Sequence, residues 1–269
     1  MEEKIDFKDI KYEVKRPHVA TITLNKPEIN NATTGDSFVE IMTAFHEADS
    51  DTSIGVVVLT GAGDTHFNEG GQVKQHLTKR PGTHRTHFRK LLGAAQAIRG
   101  CGKPVIAAVN GRAIGSGNQL QMLCDLAIAS DQAILGQHGS KRAGAPMFWG
   151  TTLMSHFVGE RKAREIIFLS REYSAQEALE MGLVNKVVSH IELYNEVDRW
   201  CDEVLDQSPT SLRILKTSMN LKHDMQYPAL FHARDMIDLF SDAPERMEGT
   251  AAWVEGRKPD FNKFRTKPN

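Results

Sequence analysis

Residues Lys103 to Ser130 read KPVIAAVNGRAIGSGNQLQMLCDLAIAS, and this stretch organises the rest of the chain. Pro104 to Val109 is a short apolar run that predicts a buried strand. Asn110-Gly111 punctuates it. Gly115-Ser116-Gly117 follows, then Asn118 to Leu123 with helical character, and Asp125 to Ser130 predicts the next strand. Strand, glycine turn and helix leave unpaired N–H groups and the positive end of a helix at one point. Such a point attracts negative charge, including charge that develops on a carbonyl oxygen during a reaction. A dinucleotide turn is not met, because G-x-G-x-x-G ends here on Leu120. A phosphate loop ending in Gly-Lys-Ser/Thr is absent too. A turn that merely packs tightly is the other reading of the same residues.

The chain has 269 residues, 40% hydrophobic and 25% charged, enough for one sizeable domain or one domain with a small appendage. A net charge of −1 offers no global field for nucleic acid or an anionic membrane. No apolar run approaches the roughly 20 residues of a membrane span, and the charged N-terminus lacks the apolar core of a signal peptide. Cys101, Cys124 and Cys201 are scattered and do not form a disulfide framework, so reduced thiols in the cytoplasm are expected. Eleven histidines show no H-x-x-x-H spacing, and no metal is expected.

Ile10 to Val14 and Val19 to Leu24 alternate as strands, and Ile54 to Gly61 is a third, β-branched one. Asp36 to Ala48 has helical periodicity. Val73 to Thr86 is polar and basic, and Arg80-Pro81-Gly82 interrupts any helix there. It reads as a solvated loop, or as a lid with cations near phosphates. A helix is predicted over His87 to Arg99, a short strand over Ala133 to Gln137 and another helix from Gly159 to Leu169. Ser174 to Glu177 is a capping box, and Leu183 to Val188 is the last predicted strand. From Glu192 onward the chain is helical and amphipathic, with Ser208-Pro209 opening one helix.

Several stretches together resemble the crotonase (enoyl-CoA hydratase/isomerase) superfamily. They are N-G-x-A-x-G-x-G from Asn110 with C-D-L-A-I-A from Cys124, N-K-P-E-I-N-N-A from Asn25, and Gly159 through Asn185. The resemblance covers about residues 8 to 265. It implies an α/β fold: a ββα spiral core over 1–190 that binds acyl-CoA and catalyses, with a helical region over 191–269 that trimerises. It also implies an oxyanion hole made by the backbone N–H groups of Gly71 and Ser116, each donor contributing about 3 kcal/mol to the transition state. CoA enters as part of the substrate, not as a separate cofactor. By the same match it would run along Lys26, Ile29, Asn31 and Ala32, with Gly70 and the tail residue Phe261 also in contact. Gln72 stands where the family usually has Asp. A homotrimer or homohexamer is implied, with no nucleic-acid or membrane partner.

The acid and base residues depart from the family's hydratases. Their two glutamates match Gln119 and Gly139, and neither side chain moves a proton at neutral pH. Leu135-Gly136-Gln137 to Lys141, Lys162 to Ile166 and Arg257 to Phe261 resemble instead 2-ketocyclohexanecarboxyl-CoA hydrolase and dihydroxynaphthoyl-CoA synthase. That branch has an aspartate where Pro146 stands, and it favours tyrosines where Phe240 and Ser241 stand. His138, beside the vacated glutamate position, titrates near neutrality and is the candidate that activates water; a structural histidine is the alternative. Gln119 is the candidate that orients water or a ring carbonyl. Glu69 is expected to face solvent. Lys141 and Arg142 either hold a carboxylate or decorate a loop, and Met147, Phe148 and Trp149 either wall an alicyclic pocket or belong to the core. The resulting expectation is hydrolytic ring opening of a cyclic β-keto acyl-CoA, as in aromatic compound degradation. Behind it stand a hydratase or lyase of a cyclic enoyl-CoA, naphthoyl-type ring closure, and a non-catalytic CoA-binding homologue.

Overall fold

The computed structural model describes residues 6–72, 83–145, 149–240 and 243–265. Its main sheet has six strands in the order β1-β2-β3-β5-β7-β10. β1 (Ile10–Arg16) and β2 (Val19–Leu24) form an antiparallel hairpin. β3 (Val56–Gly61), β5 (Val105–Val109), β7 (Leu126–Ser130) and β10 (Lys186–Val188) extend it in parallel. β3 and β5 are buried along their whole length, as parallel strands covered on both faces must be.

The period of two in these strands feeds two separate cores. Val57, Leu59, Val105, Ala107 and Val109 face α1 (Gly35–Ser50) and α2 (Thr83–Gly100). Val56, Val58, Ile106, Ala108 and Ile128 face Leu193, Val197 and Cys201 of α8 (Leu193–Leu205). Each fully buried aliphatic side chain contributes about 1.5–3 kcal/mol. Thr34 caps α1, its hydroxyl accepting from the Asp36 and Ser37 amides. The helix α2 begins a turn before the apolar pattern does, at Thr83. Arg85 and Thr86 in that first turn are exposed, so they carry no apolar signal.

A second sheet has four strands in the order β4-β6-β8-β9. Only β8 (Ile134–Gly136) was expected; β4 (His66–Asn68), β6 (Arg112–Ile114) and β9 (Glu172–Ser174) are too short to show periodicity. β4, β6 and β8 run parallel, so their C-terminal ends open on the same side. β9 is antiparallel to β8 and pairs Glu172 with Gly136.

The remaining helices are α3 (Ser116–Leu123), α4 (Trp149–Thr152), α5 (Met154–Val158), α6 (Glu160–Leu169) and α7 (Ala175–Glu180), then α9 (Pro209–Asp224), α10 (Tyr227–Phe240) and α11 (Pro244–Val254). The capping box at α7 forms as expected, between Ser174 and Glu177. The predicted strand over Leu183 to Val188 pairs only from Lys186; Leu183 and Val184 lie in the preceding turn and are buried. α9 is tied to the sheet by buried Lys216. Its Nζ lies 2.7 Å from Asp125 Oδ2 and donates to the Lys103 carbonyl at 3.0 Å. Asp125 also accepts from the Val105 amide at 2.8 Å.

Two substitutions test this framework. Lys216→Ala leaves Asp125 without its cation and is expected to cost about 3 kcal/mol, the low end for a broken buried pair, because Asp125 is partly exposed. Urea unfolding reads the loss, and an unchanged midpoint would show that the pair carries nothing. Gly117→Ala places a Cβ inside van der Waals contact with the Asn68 carbonyl oxygen. It is expected to destabilise by about 2–3 kcal/mol, seen as a lower melting temperature.

Candidate active site

Parallel strand ends are where loops converge, and the second sheet supplies three. β4 leads into Glu69-Gly70-Gly71, β6 into Gly115-Ser116, and β8 into Gln137-His138-Gly139. These loops line one cleft of about 190 Å³, closed by α2 and α11. Gly70 has φ 103°, a conformation that favours glycine. A Cβ on it would come within 3.1 Å of the Ile114 carbonyl and 3.7 Å of the Ser116 amide nitrogen. The first and second loops therefore meet backbone to backbone.

Ser116 is the first residue of α3, so its N–H has no intrahelical acceptor. Gly71 bridges to Thr33 through its neighbours: Thr33 donates to the Gly70 carbonyl, and Gln72 donates to the Thr33 carbonyl. The Gly71 amide makes neither bond, and a Cβ on Gly71 would meet nothing within 4 Å. Both amides belong to residues that line the cleft. The Ser116 hydroxyl is held by Thr33 Oγ1 at 3.1 Å and Asn68 Oδ1 at 3.4 Å, so it braces the turn.

His138 is buried, 6% exposed, and lines the cleft. Its Nε2 lies 3.0 Å from Glu172 Oε1, close enough for a charge interaction but not aligned as a hydrogen bond. Burial pushes its pKa below the ordinary histidine value, against the pull of Glu172. Arg112 grips the same carboxylate with both terminal nitrogens, at 2.9 and 3.1 Å. That bond holds the Glu172 carboxyl below its usual range. Arg112 Nε also reaches Glu69 Oε2 at 3.1 Å. Glu69 lines the cleft and is 19% exposed; the expectation that it faces solvent fails because Arg112 holds it inward. Arg112 and Glu172 carry no motif, and only the pairing of β6, β8 and β9 brings them to His138.

Gln119 lines the cleft and also a small apolar void beside it, which Trp149 and Phe38 share. Trp149 is buried, with the Arg99 guanidinium 4.8 Å from its ring centroid. Met147, Phe148 and Pro146 lie outside the described residues, as do Ser241 and the 73–82 part of the basic segment. Lys141 is exposed and does not line the cleft, whereas Arg142 does. Arg246 of α11, which no motif marked, lines it too.

The residues expected along CoA are more dispersed. Lys26 pairs with Asp9 at 2.6 Å. Asn31 is buried, and its amide is spent on backbone: it donates to the Ala62 and His66 carbonyls and accepts from the Lys26 amide. Lys26, Ile29, Asn31 and Ala32 lie outside the cleft lining, while Gly70 is inside it. Phe261 is not at the cleft either; its segment is drawn onto α11 by Glu248, which pairs with Arg257 at 2.6 Å and Lys263 at 2.9 Å. Among the described residues no three His, Cys, Asp or Glu side chains gather as a metal site. No helix among them is long and apolar enough to cross a membrane.

The architecture is shared with solved structures along nearly the whole chain. An enoyl-CoA hydratase from Bacillus anthracis is 27% identical, with TM-score 0.78, covering 94% of this chain and 98% of that one. An enoyl-CoA hydratase from Mycobacterium avium subsp. paratuberculosis K-10 is 25% identical, with TM-score 0.86 and coverage of 95% and 99%. Pseudomonas aeruginosa DspI is 28% identical, with TM-score 0.78 and coverage of 97% and 100%. The family profile described as enoyl-CoA hydratase/isomerase matches residues 15–264. With that match spanning nearly all of its length, this chain belongs to the enoyl-CoA hydratase/isomerase family, the crotonase superfamily of acyl-CoA enzymes.

Proposed function

We propose that the cleft binds the acyl end of a CoA thioester and opens a cyclic β-keto acyl group by hydrolysis of a C–C bond. The observation that carries this reading is His138: a buried imidazole, held neutral by burial, in a cleft whose two hydratase-type glutamate positions are Gln119 and Gly139. With its proton on Nε2 toward Glu172, the ring keeps a lone pair on Nδ1 to act as base. His138 takes a proton from water, and the hydroxide adds to the ring ketone. The bond between that carbon and the α-carbon then breaks. Its electron pair moves into the thioester as an enolate, and the charge reaches the oxygen facing the Gly71 and Ser116 amides. The proton held by His138 returns to the α-carbon, leaving a ring-opened acyl-CoA with a new carboxylate. Glu172 stabilises the imidazolium in between, and Arg112 holds Glu172 in place.

The same reading has CoA entering as part of the substrate. Its adenosine runs along the backbone of Lys26, Ile29 and Ala32, with Asn31 bracing that turn. Phe261 joins the adenosine from a neighbouring copy in a homotrimer or homohexamer. Exposed Ile214, Leu215 and Met219 on α9 supply apolar surface for that assembly. A second reading, hydration of a cyclic enoyl-CoA, draws on Glu69, a carboxylate two residues before Gly71 that lines the same cleft.

Incubation with cyclic β-keto and cyclic enoyl-CoA thioesters separates the two. A ring-opened product with a new free carboxylate, found by mass spectrometry after carboxylate derivatisation, is expected; a hydroxyacyl-CoA would replace this reading by hydration through Glu69. His138→Ala is expected to lower kcat about 10²–10⁴-fold with thioester affinity retained. Because His138 must be neutral and its pKa is depressed, kcat/KM is expected to hold through pH 7 and fall on the acid side, at a pH below the ordinary histidine value. A rate that declines already above neutrality as pH is lowered would exclude His138 as the base.

A further inference from the structure

Among the described residues, two guanidinium groups line the cleft without forming an ion pair, those of Arg142 and Arg246. Arg142 closes the short 3-10 turn Ser140–Arg142, and its Nε and Nη2 are buried without a hydrogen-bond acceptor. Its guanidinium lies 3.3 Å from the ring centroid of Trp253 on α11. Arg246, also from α11, donates Nη1 to the Ala143 carbonyl at 2.7 Å. The same nitrogen rests on Gly144, where a Cβ would stand 3.1 Å from it. At Gly249 a Cβ would press within 2.7 Å of the Arg142 carbonyl, so α11 sits tightly on this turn and both arginines are held by packing.

Among the described residues neither arginine pairs with a carboxylate. The two acidic side chains nearest in the site, Glu69 and Glu172, are both engaged by Arg112. Burial pushes both guanidiniums below the ordinary arginine value; at Arg142 it outweighs the pull of Glu69 and Glu172, which Arg112 already engages, and at Arg246 burial acts alone. A buried cation is costly unless something of opposite charge meets it. A guanidinium fork matches a carboxylate with two parallel N–H bonds.

We propose that Arg142 and Arg246 bind a carboxylate carried by the acyl group, so that the ligand is the CoA thioester of a dicarboxylic acid. This rests on the acyl-CoA reading above and deepens it: in ring opening, the carboxylate they hold is the one the reaction creates. The phosphates of CoA offer similar anionic chemistry, and the test separates them.

The protein is titrated calorimetrically with CoA alone, with glutaryl-, adipoyl- and pimeloyl-CoA, and with the neutral thioesters of equal length, pentanoyl-, hexanoyl- and heptanoyl-CoA. At least one dicarboxylic thioester is expected to bind tenfold or more tightly than its neutral counterpart. Arg142→Gln and Arg246→Gln are each expected to erase most of that preference while leaving the affinity for CoA alone unchanged. Arg246→Lys, which keeps the charge and the fold, is expected to retain part of it. Neutral thioesters that bind as well at every length would overturn the proposal and leave the acyl-CoA reading standing. Loss of affinity for CoA itself in the arginine variants would assign them to the phosphates and overturn it as well. Absence of binding by every thioester would remove the acyl-CoA reading together with it.

Discussion

The start of α3 has to lie backbone against backbone on the end of β4, and the rest of the site depends on that approach. Gly117 makes it possible, since any side chain there would overlap the Asn68 carbonyl. Gly70 makes the reciprocal approach from the other side, at a positive φ. Asn68 then ties the junction together: its side chain donates to the Asn31 carbonyl and accepts from the Gly70 amide. The two amides at Gly71 and Ser116 are positioned by this backbone packing together with the Asn68, Thr33 and Ser116 side-chain bonds that brace it. Preorganised donors of this kind lose nothing to reorientation when charge develops.

Charge is distributed around that junction in a definite way. Arg112 lies on the middle strand of the three that end at the cleft and engages two carboxylates at once, Glu69 and Glu172. A single cation thereby occupies both acids that could otherwise meet the arginines across the cleft. Glu172 keeps enough free edge to sit beside His138. The network leaves His138 beside one edge of Glu172, and among the described residues it leaves Arg142 and Arg246 outside any ion pair. Their positions come from different elements: His138 from the exit of β8, Arg142 from the following turn, and Arg246 from α11.

Much of the main sheet was legible. β3, β5 and β7 are runs of β-branched and small apolar residues bounded by glycine, proline or polar residues, and such runs read as strands. The glycine turn before α3 was legible for the same reason, since local backbone demands name their residues. The three-residue strands β4, β6 and β9 were not, because so short a segment has no period to read. Glu69 shows the complementary failure. A lone carboxylate beside glycines reads as a solvent-facing charge, and only Arg112, 43 positions away in sequence, turns it inward.

The sequence by itself determined the strands of the large sheet, the glycine turn before α3 and the capped helices. These follow from local periodicity, from backbone conformation and from the chemistry of single side chains. Only the tertiary structure decided which charged side chains gather at the cleft. Arg112, Glu172, His138 and Arg246 come together through the pairing of short strands and the seating of α11. A charge's role depends on which opposite charge lies within a few ångströms, and that neighbour is set by packing between segments far apart in the chain.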